Sequence, residues 1–234
     1  MSGILTLIAV AKAKRGGGGG VTPTGTKEIS ITENGTTTHD VTNYANAEVT
    51  VDVPTPTDYL AALLGNALTS YVITSNSIKA QTFRGATNLT SVTFPATLSS
   101  IGDYAFTGTG LAKAVLHTVT TMGTYAFSGI TSLTAVDIGS LGEIKANTFN
   151  GDTELNVLVL RENSVTALAN INALNNTPFA SGKAGGTLYV PASLISTYQG
   201  ATNWSTILGY ANNSIQSIES STYKTAYVDG TPIP

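Results

Sequence analysis

Few residues in this 234-residue chain are equipped for chemistry, and their spacing limits what that chemistry can be. There are two histidines, His39 and His117, and no cysteine. Two imidazoles so far apart make a histidine-rich metal site a poor expectation, and thiolate sites and disulfides are excluded. No metal and no cofactor is expected. His39-Asp40 has the residue types of an acid–base pair. No nucleophile or oxyanion device lies at a recognisable spacing from it, so both are read as exposed strand residues. Asp152 and Glu154 have the types of a glycosidic carboxylate pair. They fall in an expected bend and are read as a solvated turn. The G-x-S-x-G, H-E-x-x-H, phosphate-loop and dinucleotide patterns are missing. The run Arg15-Gly16 to Gly20 is flexible glycine without a strand–loop–helix setting. The expectation is a protein that is not an enzyme.

The aromatic residues belong to a repeat. Tyr104-Ala105-Phe106 recurs as Tyr125-Ala126-Phe127. Paired tyrosines suit a ligand contact, but a packing residue encoded by the repeat is the favoured reading. Aligned on Phe83, Phe106, Phe127 and Phe149, the chain shows an apolar residue five positions earlier: Ile78, Ile101, Met122 and Ile144. Leu89, Leu111, Leu133 and Leu155 follow, 22 residues apart. Beyond each lie Val92 and Phe94, Ala114 and Leu116, Val136 and Ile138, and Leu158 and Leu160. These i, i+2 pairs mark short strands with one face inward. Glycine with Asn, Ser and Thr supplies the bends. Such a unit buries its face only by stacking on its neighbours, so the fold class is mainly β with short helices: a solenoid of about 22-residue units. Its expected core is Phe83, Leu89, Phe106, Leu111, Phe127, Leu133, Phe149 and Leu155.

The stretch from Leu89 to Leu111, "LTSVTFPATLSSIGDYAFTGTGL", resembles the BspA-like, bacterial surface-antigen type of leucine-rich repeat. The likeness covers about residues 66–190. It implies a solenoid used for adhesion or display and brings no catalytic residues. The units at 112–131 and 134–153 lack the strand proline, and "KANTF" replaces "DYAF" in the latter.

Four segments are expected. Residues 1–20 read as an apolar anchor at 4–11 with Lys12, Lys14 and Arg15 behind it, then a glycine linker. Ala11-Lys12-Ala13 resembles a cleavage site, but the positive charge follows the apolar run, so an uncut start is expected. Residues 21–54 read as a small β module: Ile29 and Ile31 alternate, Asn34-Gly35 is a hairpin turn, and Val49, Val51 and Val53 alternate again. Residues 27–53 of it resemble a short β module of bacteriophage tail and other virion proteins. Residues 55–190 form the solenoid, with a capping helix at 57–66. Residues 191–234 form a C-terminal helical cap and tail, in which Leu194, Ile195, Tyr198 and Trp204 close the exposed core.

Charged residues are only 11% of the chain, net charge is −3, and no basic stripe exists, so no nucleic-acid partner is expected. The apolar run at 4–11 is too short to span a membrane. Residues between the inward pairs must point outward: Thr93, Val115, Asp137 and Val159 in one column, Ser91, Lys113, Ala135 and Val157 in the next. Pro95, His117, Gly139 and Arg161 follow the strands. Lys113, His117, Asp137 and Arg161 are expected to rim a weak, multivalent contact with a host-surface glycan or protein, and Val115, Val157 and Val159 to form its apolar patch. The leading functional reading is a virion-surface protein of a bacteriophage, in the tail, fibre or capsid decoration. There the N-terminal segment would join other virion proteins and the chain would assemble as a homo-oligomer. The alternative is a secreted or wall-attached bacterial adhesin, and a solenoid carbohydrate hydrolase comes third.

Overall fold

The computed structural model describes residues 8–11, 28–30, 49–53, 70–73, 76–220, 223, 227–228 and 231–232. The expected helix at 57–66, the glycine linker, the Asn34-Gly35 turn and His39-Asp40 lie outside them. Three strands come first: β1 (Ile8–Ala11), β2 (Glu28–Ser30) and β3 (Val49–Val53). A longer strand then alternates with a two-residue one. The order is β4 (Ser70–Ile73), β5 (Ser77–Ile78), β6 (Ser91–Thr93), β7 (Ser100–Ile101), β8 (Lys113–Leu116), β9 (Thr121–Met122), β10 (Ala135–Ile138), β11 (Glu143–Ile144), β12 (Val157–Leu160) and β13 (Ala167–Leu168). β14 (Thr187–Val190) precedes two short helices, α1 (Ile195–Gly200) and α2 (Trp204–Leu208). β15 (Ser214–Ser217), β16 (Tyr227–Val228) and β17 (Thr231–Pro232) follow.

The longer strands stack in parallel, in the order β15-β14-β12-β10-β8, with Lys113, Ala135, Val157 and Thr187 in register. Their inward residues Ala114, Leu116, Val136, Ile138, Leu158 and Leu160 are all buried. The two-residue strands pair in parallel across the core, β5-β7-β9 and β11-β13, and insert Ile78, Ile101, Met122, Ile144 and Leu168. Each coil then bends to bury its phenylalanine. Gln81, Tyr104, Tyr125 and Asn147, two residues before the four phenylalanines, all have φ near +60°. Asn tolerates that left-handed backbone, whereas for a bulky tyrosine it is strained. Gly85, Gly108, Gly129 and Gly151 take positive φ two residues after the ring and complete the turn. The rings of Phe83, Phe106 and Phe127 stack at 5.1 and 5.0 Å, and Phe149 continues the column at 5.9 Å. The eight phenylalanines and leucines named as the repeat core are no more than 1% exposed.

In the fifth coil Phe149 N–H donates to Ala173 O and Gly151 N–H to Asn175 O, which puts Leu174 in the phenylalanine position and Asn176 in the glycine position. Asn176 keeps the left-handed backbone, with φ +58°. A 3-10 turn at Ile171–Leu174 replaces the earlier bend.

Two expectations change at the ends. Residues 8–11 are not a free anchor: β1 lies between β2 and β3 and is antiparallel to both, with Ala9 opposite Ile29 and Val51. An apolar run with unpaired backbone satisfies its N–H and C=O groups by joining a sheet. β3 then pairs in parallel with β4, so backbone pairing crosses the boundary expected at residue 54. At the other end the chain after residue 190 stays in the stack. α1 and α2 occupy one long coil, and β15 adds a further parallel strand beside β14. Tyr198, Trp204 and Ile207 enter the common core. Trp204 Nε1–H donates to Thr166 O at 2.8 Å, and Tyr198 Oη accepts from Thr166 N–H at 2.9 Å. Among the described residues no helix is long and apolar enough to cross a membrane.

Candidate functional site

The outward side of the β8–β15 sheet carries the residues singled out for contact, and the structure divides it in two. Lys113 and Val115 on β8 are half-buried, and His117 just beyond is 43% exposed. Here the stack is open. Among the described residues β6 and β8 lack the strand pairing that joins β8 to β10. The coils meet again where Thr118 Oγ1 donates to Leu98 O at 2.7 Å. Between these points lies a groove of about 190 Å³ lined by Phe94, Pro95, Leu98, Val115, His117 and Val119, among others. Phe94 is only partly buried, unlike its inward counterparts Leu116, Ile138 and Leu160.

The other half is covered. Asp137 and Val159 point outward but are both 0% exposed, which corrects their expected place on an open rim and patch. Arg161 Nε and Nη2 donate to Asp137 Oδ1 and Oδ2, each at 2.7 Å, and His117 Nε2 is 3.3 Å from Oδ2. Gly139 stands between His117 and Arg161 in their column, where the backbone of His117 leaves no room for a side chain. A Cβ there would lie 2.0 Å from His117 O. Asp137's hydrogen bonds hold the Arg161 guanidinium above its already high range. Val157 is half-buried, and Val159 packs with Tyr189 and Tyr223. The Tyr223 ring lies 5.2 Å from that of Tyr189, beneath the Arg161 guanidinium, whose Nη2 donates to Tyr223 Oη. β17 also runs beside β8 and β10. Tyr189 follows from the alternation in β14 and was within reach of the sequence. Tyr223 was not, because no pattern ties it to the repeat.

The remaining chemistry-bearing residues sit elsewhere. Tyr104 and Tyr125 stack on each other at 4.8 Å and 4°, with the Arg84 guanidinium 5.2 Å from the Tyr104 ring. Each ring face between them is spent on its neighbour. Asp152 is not a solvated turn residue: it is 0% exposed, while Glu154 is exposed. It occupies the position after the turn glycine, where the preceding coil has Ile130, and its Oδ1 accepts from Ile130 N–H at 2.7 Å. Burial pushes its carboxyl up to about 9, against the opposing backbone hydrogen bonds of Ile130 and Gly129. Among the described residues no group of three or more His, Asp or Glu is placed to hold a metal ion.

The family model for the BspA type leucine rich repeat region matches residues 63–184, in six copies. No curated protein matches the sequence. Among solved structures, a leucine rich cell surface protein from Faecalibacterium prausnitzii A2-165 is 15% identical with a TM-score of 0.35. The match covers 70% of this chain and 63% of that one. A leucine-rich repeat protein from Bacteroides ovatus ATCC 8483 is 16% identical with a TM-score of 0.37, covering 65% of this chain and 58% of that one. This chain thus spans under two thirds of the length of either. The family match takes in just over half of the sequence and the whole run of phenylalanine-bearing coils: the chain belongs to the BspA type leucine rich repeat family.

Proposed function

We propose that the protein is a non-enzymatic, surface-displayed adhesin that binds a host or mucosal surface glycan or protein through the open half of the outward face. The observation that carries this reading is the groove between β6 and β8. There the repeat leaves Phe94 partly buried beside Val115, with the exposed His117 at its edge, and Lys113 precedes Val115 by two positions on the outward side of β8. An apolar floor with a few polar groups at its margin is the common build of a binding site. A single site of this size binds weakly, and many copies on one surface supply avidity. The family and this face support display on a bacterial cell, secreted or wall-attached. A second setting, the surface of a bacteriophage particle, is favoured by the resemblance of residues 27–53 to virion modules. Mass spectrometry of purified particles and of cell-wall fractions distinguishes the two settings. The contact itself is tested by solid-phase binding of the full chain to immobilised mucin. Saturable binding that falls at least about tenfold in the Lys113→Ala/His117→Ala double variant is expected. Undiminished binding by a folded double variant contradicts the proposal.

A further inference from the structure

The position two residues before each stacked phenylalanine holds Gln81, Tyr104, Tyr125 and Asn147, all with φ near +60°. Asparagine takes that left-handed backbone readily, and tyrosine does not. Two strained tyrosines in adjacent coils point to a use for the rings themselves. The coils hold them in register: Tyr104 N–H donates to Thr124 O at 3.0 Å and Phe106 N–H to Ala126 O at 2.7 Å. The ring centroids are 4.8 Å apart and the planes 4° from parallel. That separation matches the spacing of neighbouring strands, as it must when two side chains of one rotamer leave equivalent places. The two phenols therefore lie side by side, hydroxyl next to hydroxyl. Arg84 clamps the stack from one end: its guanidinium lies 5.2 Å from the Tyr104 ring, and its Nη1 donates to Gln81 Oε1 at 3.2 Å. Both tyrosines are only half-buried, so an oxidant in solution can reach them.

This arrangement suits one reaction of phenols. A one-electron oxidant takes an electron from each ring as its hydroxyl releases a proton, leaving two phenoxyl radicals. The unpaired electron of a phenoxyl radical has much of its density on the ring carbons ortho to the oxygen, in orbitals perpendicular to the ring. Two parallel faces let those orbitals overlap directly, so the rings are already aligned for coupling. The two unpaired electrons form the new carbon–carbon bond. Each joined carbon then gives up its hydrogen as a proton, and each oxygen takes one back, which restores both aromatic rings and both hydroxyls. Hydrogen peroxide, acting through a peroxidase, accepts the two electrons and two protons and leaves as two waters. Among the described residues the other close tyrosine pair is Tyr189 and Tyr223, tilted by 54° and no more than 6% exposed. Neither its overlap nor its access matches that of Tyr104 and Tyr125.

We infer that the stacked pair Tyr104–Tyr125 is a site of oxidative modification, at which peroxide and a peroxidase-type one-electron oxidant join the two rings into dityrosine and staple neighbouring coils together. The inference does not rest on the adhesin reading. The test treats the dilute full-length chain with hydrogen peroxide and a haem peroxidase. Dityrosine is read by its fluorescence, and its position by mass spectrometry of the digested monomer. A link within one chain between the peptides carrying Tyr104 and Tyr125, lighter than their sum by two hydrogens, is expected. Tyr104→Phe and Tyr125→Phe keep a ring in the stack but cannot form the radical, and each should lower the monomer's dityrosine yield at least about tenfold. The wild-type chain oxidised in urea, where the stack is gone, should show a similar fall. No dityrosine in the wild-type monomer overturns the proposal. So does an undiminished yield in either phenylalanine variant or in urea, or a link that maps to Tyr189 and Tyr223. The mapping and the urea comparison need only the wild-type chain, so they decide the matter even if a variant fails to fold.

Discussion

Replacing Asp152 by asparagine should stabilise the protein by an amount that grows with pH. Burial pushes the wild-type carboxyl up to about 9 in the folded chain, from its ordinary value of 3.8. Between those values the folded state holds a proton that the unfolded state has released. Stability changes with pH in proportion to protons bound unfolded minus folded, here −1, so the wild type loses stability as pH rises. The contribution is fully present below about pH 4 and is lost progressively up to about pH 9. Each pH unit in that window corresponds to about 1.4 kcal/mol, so the step from pH 5 to pH 8 amounts to about 4 kcal/mol. Asparagine keeps an Oδ1 to accept the Ile130 N–H bond, and its amide replaces the neutral acid's Oδ2, which has no partner. It does not titrate. The two proteins should therefore melt most nearly alike below about pH 4, with the gap already open at pH 5 and widening above it. At about 2–4 °C per kcal/mol for a protein of this size, the asparagine variant gains roughly a further 8–16 °C relative to wild type between pH 5 and pH 8. Calorimetry of both proteins from pH 5 to 8 is the assay. A melting difference constant across that range, or one that shrinks with pH, refutes the buried neutral carboxyl.

Three further outcomes are expected. Phe106→Ala removes a ring stacked between Phe83 and Phe127 and should cost about 3–5 kcal/mol by urea unfolding. Phe149→Ala, whose ring meets Phe127 at a longer 5.9 Å, should fall at the low end of that range. Arg161→Ala strips the bidentate partner from the wholly buried Asp137 and should cost about 3–5 kcal/mol, much of it recovered when Asp137→Asn is added. Gly139→Ala forces a Cβ onto the His117 carbonyl and should cost about 1–3 kcal/mol while loosening the His117–Asp137 contact, seen as a shift of the imidazole resonances.

The solenoid was legible because packing imposes a period. Four leucines 22 apart and the phenylalanines between them can occupy only equivalent places in a stack, and the alternation beyond each leucine fixes which face is inward. The same logic supplies the outward columns, but not what lies over them. Asp137 and Val159 are buried by Arg161 and by a tyrosine from the far end of the chain, and a repeat carries no information about a segment outside it. Asp152 was missed for a different reason. A lone polar residue beside glycine reads as a turn, yet its column in neighbouring coils holds Ala86, Thr109 and Ile130, all buried. The groove was not legible: the leucine spacing makes its two coils equal, and no residue pattern marks where strand pairing between them stops. Residues 8–11 were read by hydropathy as an anchor, and hydropathy does not distinguish an anchor from the middle strand of a sheet.

The most direct test of the adhesin reading is where a bound surface ligand protects the backbone. Hydrogen exchange of the full chain should be followed by mass spectrometry with and without soluble mucin. Slowed exchange is expected in peptides covering residues 92–98 and 113–119, the two walls of the groove, with the bends at 80–85, 104–108 and 125–129 unchanged. Protection confined to those bends, where Tyr104 and Tyr125 lie, contradicts the account.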